Sequence, residues 1–413
     1  MQNTPFGKIP DHWRISDILS ESNVVTDYVA NGSFASLAEN VQYKAEEDYA
    51  VLIRLVDFNN QFKDNFVYID EHAYNFLSKS QLFGGEIIIS NVGANVGTVF
   101  KCPHLKYKMA LAPNSIMVKF NGDNDFYYYW LTSPMGQGML QSIVTGSAQP
   151  KFNKTNFRSM AIPVPPLAEQ KKIAGILSAL DEKIETNRKI NARLEELAQA
   201  IFKSWFIDFE PFGGKMPEDW EIGTAEDFFT IDIGKTPPRK DPKWFSKSDN
   251  DITWVSISDM GKSDMFISMS SEKLTKEAIN QFNIIIVPRN TILLSFKLTI
   301  GRVSIANVEL TTNEAIARFY LEDSYEREFL YLFLREYNYK SLGNTSSIAT
   351  AVNSKIIKLM PFVMPSKSTL KRFSSLVSPL FDRIESLTKE SSRLAALRDT
   401  LLPKLMSGEL IPE

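Results

Sequence analysis

Lys235, Thr236, Arg239, Lys240, Lys243 and Trp244 fall within ten residues, around the stiff pair Pro237-Pro238. Cations, a hydroxyl and an indole on a loop with little entropy to lose suit contact with phosphates and base edges. A solvated basic loop is the plainer alternative. Ser256, Ser258 and Asp259 follow an apolar run and can either project into a groove or cap a turn. Lys297 and Arg302 flank the turn Thr299-Ile300-Gly301, where cations reach phosphate.

The first half of the chain offers a matching set. Arg54, Asn59, Asn60 and Lys63 form one candidate loop. Asn91 and Asn95 sit among the glycines of Ser90–Gly97, and two readings are open for them: hydrogen bonds to adenine edges, or left-handed turns. Gln149, Lys151, Asn153 and Lys154 precede a long helical segment and suit phosphate contact. The cluster Phe126-Tyr127-Tyr128-Tyr129-Trp130 resembles a base-stacking platform. Its helical density and lack of interleaved cations favour core.

Catalytic constellations are missing. No Asn-Pro-Pro-aromatic or Asp-Pro-Pro-aromatic tetrapeptide serves amino-group methylation, and no phosphate loop of the Gly-x4-Gly-Lys-Ser/Thr type occurs. Asp241-Pro242-Lys243 and Pro217-Glu218-Asp219 lack the spaced acidic and lysine partners of a nuclease site and read as turns. Three scattered histidines and one cysteine, Cys102, make neither a zinc site nor a disulfide. The lone thiol, and an N-terminus without a basic-then-apolar signal, point to the cytoplasm. A net charge of −3 counts moderately against a nucleic-acid partner, although affinity depends on local clustering that a whole-chain sum conceals.

These residues need scaffolds. Short β-branched runs at Ala50–Val56, Glu86–Ser90, Gly97–Phe100 and Ser115–Phe120 read as sheet, and Asp125–Leu140 as buried helix. The same texture returns at Ile252–Ser256, Phe282–Val287, Thr291–Phe296 and Gly301–Ile305, with a helix-like stretch at Glu326–Leu342. The fold class is therefore α+β. Its expected parts are a globular domain at 1–165, a helical spacer at 166–210, a second domain at 211–365 and a closing helix at 366–413.

The two helical parts keep a heptad rhythm. In the first, Ile173, Leu177, Leu180, Ile184, Leu194 and Ile201 mark an apolar seam, with Asn187 and Asn191 as polar members. In the second, the seam is Phe373, Val377, Leu380, Ile384, Leu387, Leu394 and Leu401, with Ser391 and Arg398 polar. Pro379 and Pro403 predict a kink or frayed end. Neither stripe is stable bare in water, so the two are expected to pack as an antiparallel coiled coil. That arrangement predicts a globular domain at each end. The polar members either fix register or face solvent.

The chain also repeats itself. Residues 145–205 and 345–405 align without a gap, with Thr145–Ala148 against Thr345–Ile348, Asn153 against Asn353 and Pro165 against Pro365. Gly7–Trp13 resembles Gly214–Trp220. This spacing is far too long for a solenoid and predicts two similar domains with internal pseudo-twofold symmetry.

Several of these segments resemble the specificity subunit of type I restriction-modification systems. They are Gly146–Lys154 running into Ile162–Ile173, Gly234–Lys240 with Ile252–Met260, Leu293–Val303 before Asn313–Ala317, and the Pro-x-x-Trp opening of each half. The resemblance covers essentially the whole chain. It implies a non-catalytic DNA-binding subunit with two target-recognition domains, each reading half of a bipartite site in double-stranded DNA. It further implies docking of two modification subunits and a restriction/translocase subunit. S-adenosylmethionine, ATP and magnesium would belong to those partners, with no cofactor on this chain. The second half departs from the pattern: Pro365–Leu370 replaces Pro-Pro-Leu-x-Glu-Gln, and the first half has Asn31–Phe34 in place of the Gly-x-Thr-Pro loop. The competing reading is a protein scaffold with two interaction domains on a rod, binding no DNA.

Overall fold

A computed structural model describes residues 1–342 and 352–412; the Thr345–Ile348 end of the repeat lies outside these. The chain forms two compact units. One is Met1–Lys183 with Arg393–Glu413, the other Ile184–Ser392. Two long helices, Leu167–Phe206 and Lys367–Met406, each contribute to both units.

In the first unit, β1 (Ser22–Asp27), β2 (Ala50–Ile53), β3 (Ile87–Ser90), β4 (Val99–Lys101), β5 (Lys108–Leu111) and β6 (Ser115–Phe120) carry the framework. One sheet runs β1-β6-β3-β4; in the other, β2 lies parallel to β5. Strand period separates two cores. Ile87 and Ile89 enter a cluster with Phe126, Trp130, Ile173, Leu177 and Leu405, whereas Ile88 packs with Val51, Phe100 and Met117. The aromatic run is core: Phe126, Tyr127, Tyr129 and Trp130 are buried, and Tyr127 stacks on Phe120 at 4.0 Å. The expected single helix is two, Asn124–Thr132 and Pro134–Ser142, because Pro134 starts a new helix capped by Ser133.

The second unit repeats the plan with β7 (Thr230–Ile233), β8 (Ile252–Val255), β9 (Ile292–Ser295), β10 (Val303–Ala306), β11 (Thr311–Thr312) and β12 (Ile316–Tyr320). One sheet runs β7-β12-β9-β10 with the short strand Phe266–Ile267 added parallel to β10, and β8 lies parallel to β11 in the other. Ile292 and Leu294 face one core and Leu293 the other. Phe282–Val287, expected as a strand, makes only an isolated bridge at Val287; Asn283 is left-handed, and Ile285 and Ile286 are exposed. The stretch at Glu326–Leu342 divides into a helix over Arg327–Glu336 and a short 3₁₀ turn.

The long helices pair along the expected seam. In the second unit Val377, Ile384 and Leu387 are fully buried, with Leu194, Ile201 and Leu380 packed against the core of that unit. In the first unit Ile173 and Leu177 are buried and Leu401 packs beside them. Asn187 Nδ2 donates to Glu390 Oε2 (3.0 Å) and Ser391 Oγ (3.3 Å), and Asn191 Nδ2 to Thr388 Oγ1 (3.2 Å). The asparagines thus lie inside the seam, and their partners run in the opposite sense along the second helix. Within the first unit, Arg398 donates to Asp181 Oδ1 at 2.7 Å. Lys367–Met406 is continuous through Pro379 and Pro403, because buried Val377, Phe381, Ile384 and Leu405 hold it against its neighbours despite the missing N–H groups.

Candidate nucleic-acid interface

Strand pairing gathers most of the sequence-selected residues of the first unit at one sheet end. Register pairs Asp27 with Ile116, Ser115 with Ser90, and Ile53 with Leu111, so the segments after β1, β3, β2 and β5 leave together. Arg54 leaves β2 here as N-cap of Leu55–Asn59, and Asp57 reaches back to accept from the Arg54 backbone N–H at 2.8 Å. Its guanidinium binds Asp57 (2.5 Å to Oδ1) and the carbonyl of Asn65 (2.8 Å). The expected loop is therefore a helical turn ending at exposed Asn59, with exposed Asn60 and Lys63 beyond it and Asn60 Nδ2 donating to Asp64 at 2.6 Å.

The β3–β4 tip is Asn91–Thr98. Gly93 and Gly97 alone take positive φ here, so neither asparagine supplies a left-handed turn. Asn91 Nδ2 donates to the carbonyl of Phe152 (3.1 Å), fixing the tip to the chain leading into the first long helix; Asn95 is exposed. Lys151 bridges Val92 through its backbone and leaves its side chain outside. Lys154 Nζ binds Asp27 at 2.8 Å, and Asn153 caps the helix Lys154–Arg158, as Asn353 caps Ser354–Lys358.

The second unit assembles the corresponding end. Ile233 pairs with Ala317, Ser295 with Ile316, and Val255 with Thr312. Ser256 leaves β8 as Arg54 leaves β2, and caps Ile257–Lys262 in a box with Asp259. Asp259 Oδ2 accepts from Ser256 Oγ (2.6 Å) and N (2.9 Å), while Oδ1 accepts from Ser271 N (2.9 Å). Burial raises the Asp259 pKa, but these hydrogen bonds outweigh it and hold the carboxyl below its ordinary value. Ser258, in the first turn after this cap, is exposed.

Gly234 seats the basic loop. A Cβ there would stand 2.0 Å from Thr312 O and 2.3 Å from Asn313 O, a backbone approach that only glycine permits. Beyond it, Lys235 Nζ reaches the carbonyls of Phe282 (3.3 Å) and Asn283 (3.2 Å), and Thr236 donates to Glu314. Arg239 binds Glu272 at 2.7 Å, with its guanidinium 4.2 Å from the Phe245 ring and 4.6 Å from that of Trp254. Trp244 packs edge-on against Phe282, and Lys243 lies over the Trp244 ring and 3.4 Å from Asp241. At the β9–β10 tip Arg302 Nη1 donates to the Ile257 carbonyl at 2.7 Å, while Lys297 is exposed.

Several chosen cations are thus engaged in holding loops: Arg54, Lys154, Arg239, Lys243 and, through carbonyls, Lys235 and Arg302. Among the described residues Lys63, Lys151, Lys240 and Lys297 have no acidic partner. The two ends share a scaffold and differ in the side chains they present.

Comparison with known proteins follows the same division. The type I restriction modification DNA specificity domain matches residues 32–196 and again 217–396. The chain belongs to the type I restriction-modification DNA specificity family. Its similarity to the MjaIX specificity subunit of Methanocaldococcus jannaschii is 27% identity, over 99% of this chain and 96% of that one. The HindI specificity subunit of Haemophilus influenzae is 26% identical over 63% of this chain and 71% of its own. In fold, the chain is similar to the crystal structure of the S subunit of a type I system from M. genitalium, with a TM-score of 0.54 and 16% identity over 99% of both chains.

As a specificity subunit, the protein is the non-catalytic, DNA-recognising member of a type I system. Two features of its recognition units lie outside the candidate site residues chosen from the sequence. Arg318 is almost fully buried and doubly bonded to Asp232 (Nε to Oδ1 2.6 Å, Nη2 to Oδ2 2.5 Å), with further bonds to the Ile285 and Ile233 carbonyls. It anchors the strand end from which the Gly234 loop departs. Burial, opposed by the Arg318 charge and aided by the Asp232 carboxylate, raises the pKa of the neighbouring Tyr320 phenol to about 12. Asp232 and Arg318 are opposed in the β7–β12 register, a pairing that residue type alone does not reveal. The second is the Glu169-Gln170 pair. Gln170 accepts from Asp123 N (2.9 Å) and donates to the Pro165 carbonyl (2.8 Å), so it locks the long helix to the domain. Among the described residues no helix is long and apolar enough to cross a membrane.

Proposed function

We propose that the domain at 1–165 reads one half of a bipartite duplex site and the domain at 211–365 the other. The carrying observation is the duplicated sheet end: Asp57 accepts from Arg54 N as Asp259 accepts from Ser256 N, and one β-tip answers another, while the exposed side chains differ. One scaffold presenting two chemistries suits recognition of two unlike sequences. Lys63, Lys151, Lys240 and Lys297, which have no acidic partner among the described residues, would bind phosphate, and exposed Asn59, Asn95 and Ser258 would meet base edges.

The helical segments 166–210 and 366–413 would carry the docking sites for two modification subunits, with a restriction subunit joining that assembly. Adenine methylation with S-adenosylmethionine and ATP-driven cleavage would belong to those partners. The test exchanges residues 1–165 for those of a relative with another specificity and sequences the methylome of cells that also express the modification subunit. One half of the methylated site should change and the other persist. Changes in both halves would overturn the assignment of one domain to each half.

A further inference from the structure

We propose that Leu298 is an apolar wedge that enters a base-pair step in the half-site read by the second domain. The inference rests on the DNA-reading assignment above. It begins from an unusual placement: Leu298 is 99% exposed and has φ +60. Thr299 N donates to the Lys297 carbonyl at 2.7 Å, closing a three-residue turn with Leu298 at its apex. Turns of this hand are rare and strained for a residue with a Cβ.

The apex is nonetheless well held. Ser295 Oγ donates to the Thr299 carbonyl (2.6 Å) and accepts from Arg302 N (3.1 Å), while Gly301 N donates to the Ser295 carbonyl (3.0 Å). Phe296, 1% exposed, roots the tip in the core.

Comparison with the other left-handed positions sharpens the point. Among the described non-glycine residues with positive φ, Asn65, Asn114, Asn283 and Asn290 are of the type that tolerates it, and Gln61, also exposed, is polar and ends a helical turn through its N–H to the Phe58 carbonyl at 2.9 Å. Phe62 offsets the strain by packing near Phe58 and Phe100, and Phe209 by packing against Trp220 at 5.8 Å. Leu298 gains no comparable burial. Its neighbours suit nucleic acid: Lys297 is exposed, and Ile300, 39% exposed, adds a second apolar group. The tip leaves the same sheet end as Lys235 and Thr236.

A leucine held outward between cations is the kind of side chain that partly unstacks a base step. The corresponding tip of the first domain exposes only Ala94 and Asn95, and its Val92 is bridged to Lys151. The wedge is therefore confined to one half-site, and the other is an internal control.

The test uses the full chain with its modification subunits on duplexes carrying the methylome-defined site. 2-Aminopurine replaces one non-methylated position at a time. One step in the second domain's half-site should brighten several-fold, Leu298→Ala should abolish this, Leu298→Phe should preserve it, and the first domain's half-site should show no such step. A bright step that survives Leu298→Ala, or none despite tight binding, overturns the wedge alone. If the wild-type complex binds no duplex, the DNA-reading assignment falls and the wedge with it. Leu298→Ala should leave the Tm of the free chain unchanged; a fall of several degrees would place Leu298 against its own chain and overturn the proposal.

Discussion

Trp13 Nε1 donates to Glu169 Oε2 at 2.9 Å, and the corresponding Trp220 has a buried Nε1 with no partner. The difference traces to one position of the repeat, where Thr369 stands opposite Glu169. Glu169 also meets His12 Nε2 at 3.0 Å, so one carboxylate ties the opening of the first domain to the start of the long helix. In the second unit that junction is aromatic instead: Phe206, Phe209 and Phe212 surround Trp220.

Substituting each indole separates these two solutions. Trp13→Phe discards a hydrogen bond to a charged acceptor and leaves a part-buried carboxylate short of a partner. Trp220→Phe removes an N–H that has no acceptor. Ring loss costs both alike, so Trp13→Phe should be the more destabilising by about 1–3 kcal/mol. Urea unfolding of the two variants measures the difference, and equal losses would contradict the account.

Asn187 and Asn191 should limit the stability of the helix pair while setting its register. Both are buried, and the Oδ1 atom of each lacks a partner. Replacing Asn187 and Ser391 together by leucine removes the unsatisfied amide and both halves of one hydrogen bond. The double variant should unfold at a Tm several degrees higher, since such exchanges toward apolar packing commonly stabilise by about 1 kcal/mol or more. The expected penalty is register: crosslinking between cysteines placed along the two helices should give one product in the wild type and several in the variant.

Much of this seam was legible because a heptad writes burial directly into spacing. Ile173, Leu177, Val377, Ile384 and Leu387 are all buried as the rhythm requires. The sheets were legible as texture, since Ile87–Ser90 and Ile292–Ser295 are buried on both faces and read as continuous apolar runs. The candidate recognition residues were less so. Whether Arg54 or Arg239 is free depends on Asp57 and Glu272, and a residue type does not reveal its partner. Phe282–Val287 misled for a related reason: its apolar density is that of a strand, yet Asn283 turns the backbone left-handed before a ladder can form.

The cap on Ile257–Lys262 predicts a pH-dependent loss. Asp259 is ionised more readily in the fold than in the unfolded chain, because Ser256 and Ser271 donate to it. Its stabilisation is therefore fully present above the unfolded carboxyl pKa and disappears as pH falls through the lower folded value. At neutral pH Asp259→Asn should cost about 1 kcal/mol. The unfolding curves of variant and wild type should converge once the pH has fallen below the folded Asp259 value, which lies under the ordinary carboxyl range. A gap that stays constant into acid would mean that the cap does not depend on the charge.

Lys240 and Arg239 are adjacent and should nevertheless behave differently toward DNA. Lys240 has no acidic partner among the described residues, so any phosphate it neutralises releases a counterion. Lys240→Ala should lower the slope of log K against log salt by about 1 and weaken cognate and unrelated duplexes equally. Arg239 is already neutralised by Glu272 and stacked on Phe245 and Trp254. Its replacement frees Glu272 and loosens the Pro237-Pro238 loop. The slope should change little, while discrimination between cognate and altered second half-sites should fall. Fluorescence-anisotropy titrations of the assembled complex between 50 and 200 mM salt, a span of about fourfold over which phosphate contacts weaken steeply, distinguish the two roles. Identical slope changes for both variants would show that Arg239 leaves Glu272 to bind phosphate.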